Sequence, residues 1–217
     1  MHPQLRGWVD VQRTHQANVR LGLTLAFVAG ATNAGGFLAV GQYTSHMTGV
    51  VSSVADQIVL GQWALAAAGL GALLAFVLGA MTTAWLVNWG LRHGLHSAFG
   101  LPLLLEAVAL LLFGLFGAAI GLLATLFLPL TVVLLCFIMG LQNAIVTKIS
   151  KAEIRTTHMT GIVTDLGIEL GKLVYVNSDK SDAEPVRADR DRMKTLGVLL
   201  LAFLLGGISG AFGFKLL

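Results

Sequence analysis

Charge is what this chain has least of. Only 12% of its 217 residues are Asp, Glu, Lys or Arg, against 56% that are apolar. A soluble domain carries about twice that charged share. A water-facing globule is therefore excluded, and the mean hydropathy of +0.80 says the same. Cysteine is almost missing, with Cys136 alone in an apolar run. One thiol excludes a disulfide framework and a cysteine-built metal centre. The net charge of +3 is too small for a nucleic-acid surface. There is no His-Glu-x-x-His spacing and no nucleophile–base pattern. With no loop large enough for a soluble active site, the chain is expected not to be an enzyme.

What is present is long apolar runs, with 26 glycines that suit close helix packing in lipid. A bilayer core of about 30 Å takes roughly 20 helical residues, and five segments reach that length: 20–41, 63–89, 101–121, 127–148 and 195–216. The basic start followed by LGLTLAFVA has the outline of a signal peptide. The apolar run nevertheless continues to Val40 and its pattern recurs inside the chain, so a retained helix is expected.

A rare string occurs twice. SHMTGVV stands at 45–51 and THMTGIV at 157–163. The neighbourhoods match as well: LAFVAGATNA (25–34) with LCFIMGLQNA (135–144), and LLAFVLGAM (73–81) with LLAFLLGGI (200–208). The chain thus reads as two copies of one unit, 20–89 and 127–216. A connector, 90–126, holds span 101–121, and residues 1–19 form an N-terminal segment. The helices that follow the strings, 48–60 and 160–176, are short and polar-striped. The first covers only about 20 Å, too little to cross.

Loop charge decides how these pieces are threaded. Suppose neither short helix crosses and the N-terminus, with Arg6, Arg13 and Arg20, lies in the cytoplasm. Then Arg92, Lys148, Lys151, Arg155 and the loop 177–194, with five basic and five acidic residues, also lie inside. The connections at 42–45, 61–62 and 122–126 carry no Lys or Arg and lie outside. Every connection obeys the positive-inside rule. Span 20–41 then runs outward and its copy 127–148 inward. The expectation is an all-α polytopic membrane protein of about five full spans and two re-entrant half-helices, arranged as an inverted repeat. Inverted repeats meeting at broken helices are a recurrent plan in transporters.

The sharpest candidate residues are His46, Thr48, Gly49 and their counterparts His158, Thr160 and Gly161. A half-helix start carries free amides and about half a positive charge, and two of them converging would suit an anion or a carboxylate. The plainer reading is a helix start in which Thr caps the amides. His46, Met47, His158 and Met159 offer soft metal ligands, but adjacent helical residues point about 100° apart, so no metal and no cofactor is expected. Asn33 and Asn143 sit mid-span and are expected to bond the exposed backbone at the HMTG turns first, and substrate second. Asp56, Asp165 and Glu169 are candidates for a proton or cation relay. Asp165 and Glu169 are like charges four apart, for which Lys172 is the expected compensation. Glu106 reads as a snorkelling or helix-N-terminal acid near the inner interface. Trp63, Trp85 and Trp89 read as interface anchors, and Gly206, Gly207, Gly210 and Gly213 as a packing face.

GATNAGGFLAVGQYTSHMTG in the first half and MGLQNAIVTKISKAEIRTTHMTGIVTDLGIELGKL in the second resemble the YoaK-type family of bacterial membrane proteins, a domain of unknown function. The likeness covers roughly 20–216. It implies a bacterial inner-membrane protein of about six spans. Relatives often carry Asp at the place of Asn33 and Asn at the place of Val50. The reading that follows is a small inner-membrane transporter or channel for a small anion or organic solute, with lipid as its surroundings and a homodimer compatible with so small an enclosure. A non-transporting scaffold or regulatory protein is the alternative, with an intramembrane enzyme third.

Overall fold

The computed structural model describes residues 14–119, 124–150, 156–177 and 185–216. The segment 1–13 and the loop cations Lys151 and Arg155 lie outside them. Among the described residues there are seven helices and no strand: α1 His15–Val40, α2 Met47–Val59, α3 Trp63–Arg92, α4 Gly100–Ala119, α5 Ala124–Ile149, α6 Met159–Val174 and α7 Arg190–Leu216. The protein is an all-helical membrane protein. α1, α3, α5 and α7 are long and apolar enough to cross a membrane. α4, the fifth expected span, is apolar over its shorter described stretch Gly100–Leu115.

Local signals set the helix ends. The Thr14 hydroxyl accepts from the Ala17 amide and starts α1, and Gly41 ends it in the left-handed region at φ 74°, donating to Phe37. Left-handed Gly61 (φ 70°) turns the chain from α2 into α3. Pro129 falls inside α5, in its second turn, close enough to the start that only one early backbone bond is forfeited.

Helix directions follow from which residues touch. A Cβ on Gly30 would strike the Phe203 carbonyl, and one on Gly35 would meet Gly210 and Phe214, so α1 and α7 run parallel. Gly79 abuts Phe137, Thr83 donates to Leu141, and Lys148 reaches Asn88, so α3 and α5 are parallel too. The start of α1 (Asn18, Leu21) lies beside the end of α5 (Ile149, Ser150), while Gly36 meets Leu135. Those two helices are antiparallel. α1 and α3 therefore run in opposite senses, and the end of one shares a face with the start of the other. The 13 residues of α2 return the chain to the face it left. The same geometry holds for α5, α6 and α7.

The largest helix contacts are α1 on α7 and α3 on α5; α2 rests on α3, α6 on α7, α1 on α5, and α4 on α5 and α3. Outward faces are apolar stripes, such as Leu70, Leu74, Val77, Leu78, Met81 and Trp85 on α3, and Leu201, Leu204, Leu205, Ile208 and Phe212 on α7. Lipid tails accept such faces. Trp63, Trp85 and Trp89 are exposed on the same side chains' side of α3. Gly206 and Gly210 pack against α1 inside the chain, whereas Gly213 has nothing near it.

Candidate functional site

Each HMTG string begins a short helix by the same device. After α1 the chain turns back into the bundle, and the Ser45 hydroxyl donates to the Asn33 side-chain oxygen at 2.9 Å. After α5 the Thr157 hydroxyl donates to the Asn143 side-chain oxygen. Asn33 lies seven and Asn143 six positions inward from the last residue of its helix, about 10 Å along the axis. Coil therefore enters and helix leaves, with both starts inside the bundle. The asparagines were expected to bond freed backbone. Their oxygens instead meet the hydroxyl just before His46 or His158, and the Asn143 amide donates back to Met139 in its own helix.

The capping expectation is corrected as well. His46 and His158 are the N-cap residues, and neither makes a side-chain cap bond. Thr48 and Thr160 fall within the first turn, where a hydroxyl cannot cap, and both are exposed. The His46 ring folds over Gly49 so closely that any Cβ there would collide with it. Gly161 occupies the matching place in α6. Both histidines are exposed, while their neighbours turn inward. Met47 packs with Ala72, Ala75 and Cys136, and Met159 with Leu21, Ile145 and Ile162. The two methionines thus pack into different apolar clusters, Met47 on α3 and α5 and Met159 among residues of α1, α5, α6 and α7.

Sequence reasoning passed over the residues just before the strings. Thr44 and Thr156 are 1% and 0% exposed, and the hydroxyls of both are buried without a hydrogen-bond partner among the described residues. They are corresponding positions, two before each His. Their signal was available in the sequence, since the repeat reads Thr-Ser-His-Met against Thr-Thr-His-Met.

The acids divide. Asp56 is exposed and forms no ion pair among the described residues. Asp165 pairs with Arg192 of α7 at 2.9 Å. Glu169 is 2% exposed, receives Lys172 at 2.8 Å and the Asp189 amide at 2.8 Å, and has Arg192 at 3.9 Å. The Lys172 bond, then the Asp189 amide, hold its carboxyl below the usual carboxylate range against the opposing effect of burial. Arg192 was not foreseen as the shared partner of this like-charge pair, because it arrives from a different helix.

Glu106 overturns its expectation. It does not snorkel: it is 3% exposed and accepts from the Gln142 side-chain amide at 2.7 Å. α4 runs antiparallel to α5, with Ala109 against Ile138 and Met139, which carries Glu106 inward to the level of Gln142.

Over residues 21–216 the chain matches the family described as "Protein of unknown function (DUF1275)", and it belongs to that family. The YoaK-type resemblance agrees with this. No curated protein and no solved structure matches the chain.

Proposed function

We propose that this protein is a small membrane transporter or channel built as an inverted repeat, 20–89 against 127–216, with the two HMTG starts as its substrate-contacting elements. The observation that carries the reading is the doubled tie of Asn33 to Ser45 and Asn143 to Thr157. It holds two half-helix N-termini inside the bundle, on helices that run in opposite senses. Irregular backbone at that depth is tolerated where it lines a wet cavity, and exposed His46, Thr48, His158 and Thr160 fit such a lining. Free amides and the unpartnered hydroxyls of Thr44 and Thr156 favour a small anion or a small polar solute. Each start lines its own half of one pathway. The setting is a bacterial inner membrane with the N-terminus in the cytoplasm, in keeping with the loop charges. The chemistry is passage, with no enzymatic step.

Two measurements test this. In a Cys136→Ala background, single cysteines at Tyr43 and Gln62 should label from outside the cell, and those at Leu95 and Asn177 from inside. Opposite labelling of Tyr43 and Gln62 would make α2 a crossing helix and end the inverted-repeat reading. In proteoliposomes, light-scattering recovery in isotonic chloride, nitrate, acetate and urea should be accelerated by the wild type. It should fall about tenfold, on the order of 1.4 kcal/mol, in His46→Ala/His158→Ala protein of unchanged melting temperature. A scaffold would show no recovery above empty vesicles, and loss of both histidines would lower stability instead.

A further inference from the structure

The connector helix holds a carboxyl that neither HMTG start uses. Gln142 donates its side-chain amide to one Glu106 oxygen, Oε1, at 2.7 Å. The other carboxyl oxygen, Oε2, is buried with no partner among the described residues, and so is the Gln142 carbonyl oxygen, Oε1. Gln142 is 0% exposed and Glu106 3%. About one turn along each helix lies the apolar cluster of Ala109, Ile138 and Met139, with Phe76, Leu110 and Phe113 packed on it. Thr83, also buried nearby, spends its hydroxyl proton on the Leu141 carbonyl.

An ionised carboxylate only accepts hydrogen bonds. With Glu106 charged, the pair would present two buried acceptors and no donor between them, together with an uncompensated charge, an arrangement the interior strongly disfavours. Among the described residues no cation pairs with it. The elements packed against α4 are α3 and α5, whose titratable groups are Arg92, Lys148 and the Cys136 thiol. Arg92 ends α3, Lys148 is engaged with Asn88 near the end of α5, and Cys136 packs toward Ala72 and Ala75. A single proton on Oε2 removes the whole difficulty. The carboxylic acid would then donate to the Gln142 carbonyl while the Gln142 amide donates to the acid, a two-bond ring that gives each of the four side-chain O and N atoms a partner.

We propose that Glu106 is a proton-binding site inside the helix bundle, occupied at neutral pH. Its proton comes from the aqueous phase and returns there, leaving a carboxylate that breaks the ring to Gln142. Gln142 directly precedes Asn143, which holds the second HMTG start through Thr157. Loss of the proton therefore disturbs α5 at the residue beside that tie. Its role as the coupling proton rests on the transport reading above, whereas its occupancy does not.

The test is infrared difference spectroscopy of the purified protein in lipid, in H₂O and D₂O, from neutral to alkaline pH. The wild type should show the carbonyl stretch of a protonated carboxyl at neutral pH, sensitive to deuterium. The band should be missing in Glu106→Gln and shifted in Gln142→Leu. Glu106→Gln should keep its melting temperature, because an amide pair rebuilds the ring. Should Glu106→Gln fail to fold, the band in the wild type and its shift in Gln142→Leu decide the matter alone. A wild-type spectrum without the band overturns the proposal, as does melting-point stabilisation by Na⁺ or K⁺ that vanishes in Glu106→Gln, which would make the occupant a metal cation. Vesicles loaded with a pH dye, driven by a valinomycin potential, then separate the two ideas. Proton entry through the wild type that is lost in Glu106→Gln supports coupling. The band without any proton or solute flux upholds the proton site and defeats the transport reading.

Discussion

The half of the chain around the first HMTG string and the half around the second agree where they are buried and differ where they end. Gly30 lies against the Phe203 carbonyl as Gly140 lies against that of Phe76, and Gly206 meets Phe27 as Gly79 meets Phe137. Asn33 and Asn143 each hold a hydroxyl, and Thr44 and Thr156 each bury one without a partner among the described residues. The far ends have nothing in common. α2 closes onto α3 through Gly61, with Asp56 exposed, whereas α6 finishes in the ionic cluster of Asp165, Glu169, Lys172 and Arg192. What both halves keep is the inner frame that places two half-helix starts. The charges belong to one end of the molecule and anchor a single half-helix there. Function is therefore sought in the shared part.

The largest effect should come from the four glycines. Because a Cβ at Gly30, Gly79, Gly140 or Gly206 would land on a backbone carbonyl, no side-chain rearrangement can absorb it and the helices must separate. Alanine at any of the four should cost about 3 kcal/mol or more, read as loss of the monodisperse peak and of the thermal transition in detergent. If the α1–α7 pair proves intolerant and the α3–α5 pair tolerant, the two seams are not equivalent and the comparison breaks.

The two asparagine ties sharpen it. Ser45→Ala and Thr157→Ala each strand a half-buried amide oxygen, at about 1–3 kcal/mol. Thr157→Ala should be the costlier. Asn143 is pinned by its own bond to Met139 and cannot swing to another donor, while Asn33 has no such second bond among the described residues. Thermal unfolding of the two variants side by side decides this, and a larger loss in Ser45→Ala would reverse it.

Much of this frame was legible because it is written in one-dimensional patterns. Apolar run length marked the four long spans, and an Asn followed 13 or 15 positions on by His-Met-Thr-Gly paired the two strings. What stayed hidden depends on a third dimension. The burial of Glu106 is set by the antiparallel crossing of α4 on α5, which puts Gln142 opposite it; position one turn into an apolar run says nothing about which way the carboxyl faces. Arg192 reaches Asp165 from 27 residues away, across a charged loop with many other candidate partners. The different apolar clusters that Met47 and Met159 join are likewise a matter of which helix each short helix leans on, α3 for one and α7 for the other. A repeat in sequence specifies equivalent surroundings, not mutual contact.

The smallest effects belong to the unshared end. Glu169 has its carboxyl held below the ordinary range, first by Lys172 and then by the Asp189 amide. A carboxyl lowered in the folded state contributes stability above its unfolded value of about 4.3, and that contribution is lost as pH falls through the lower folded value. The melting temperature should therefore decline on acidification below about pH 5, and decline less in Glu169→Gln, which removes the charge and has one oxygen left to accept from Lys172 or the Asp189 amide. Asp165→Asn should change little, within about 1 kcal/mol, since that ion pair is 42% and 52% exposed. The contrast between the two acids locates the anchor. If acid sensitivity persists in Glu169→Gln and disappears in Asp165→Asn, the exposed pair rather than the buried carboxyl fastens α6 to α7. The asymmetry between the halves would then be a surface feature, with the buried frame the same in both.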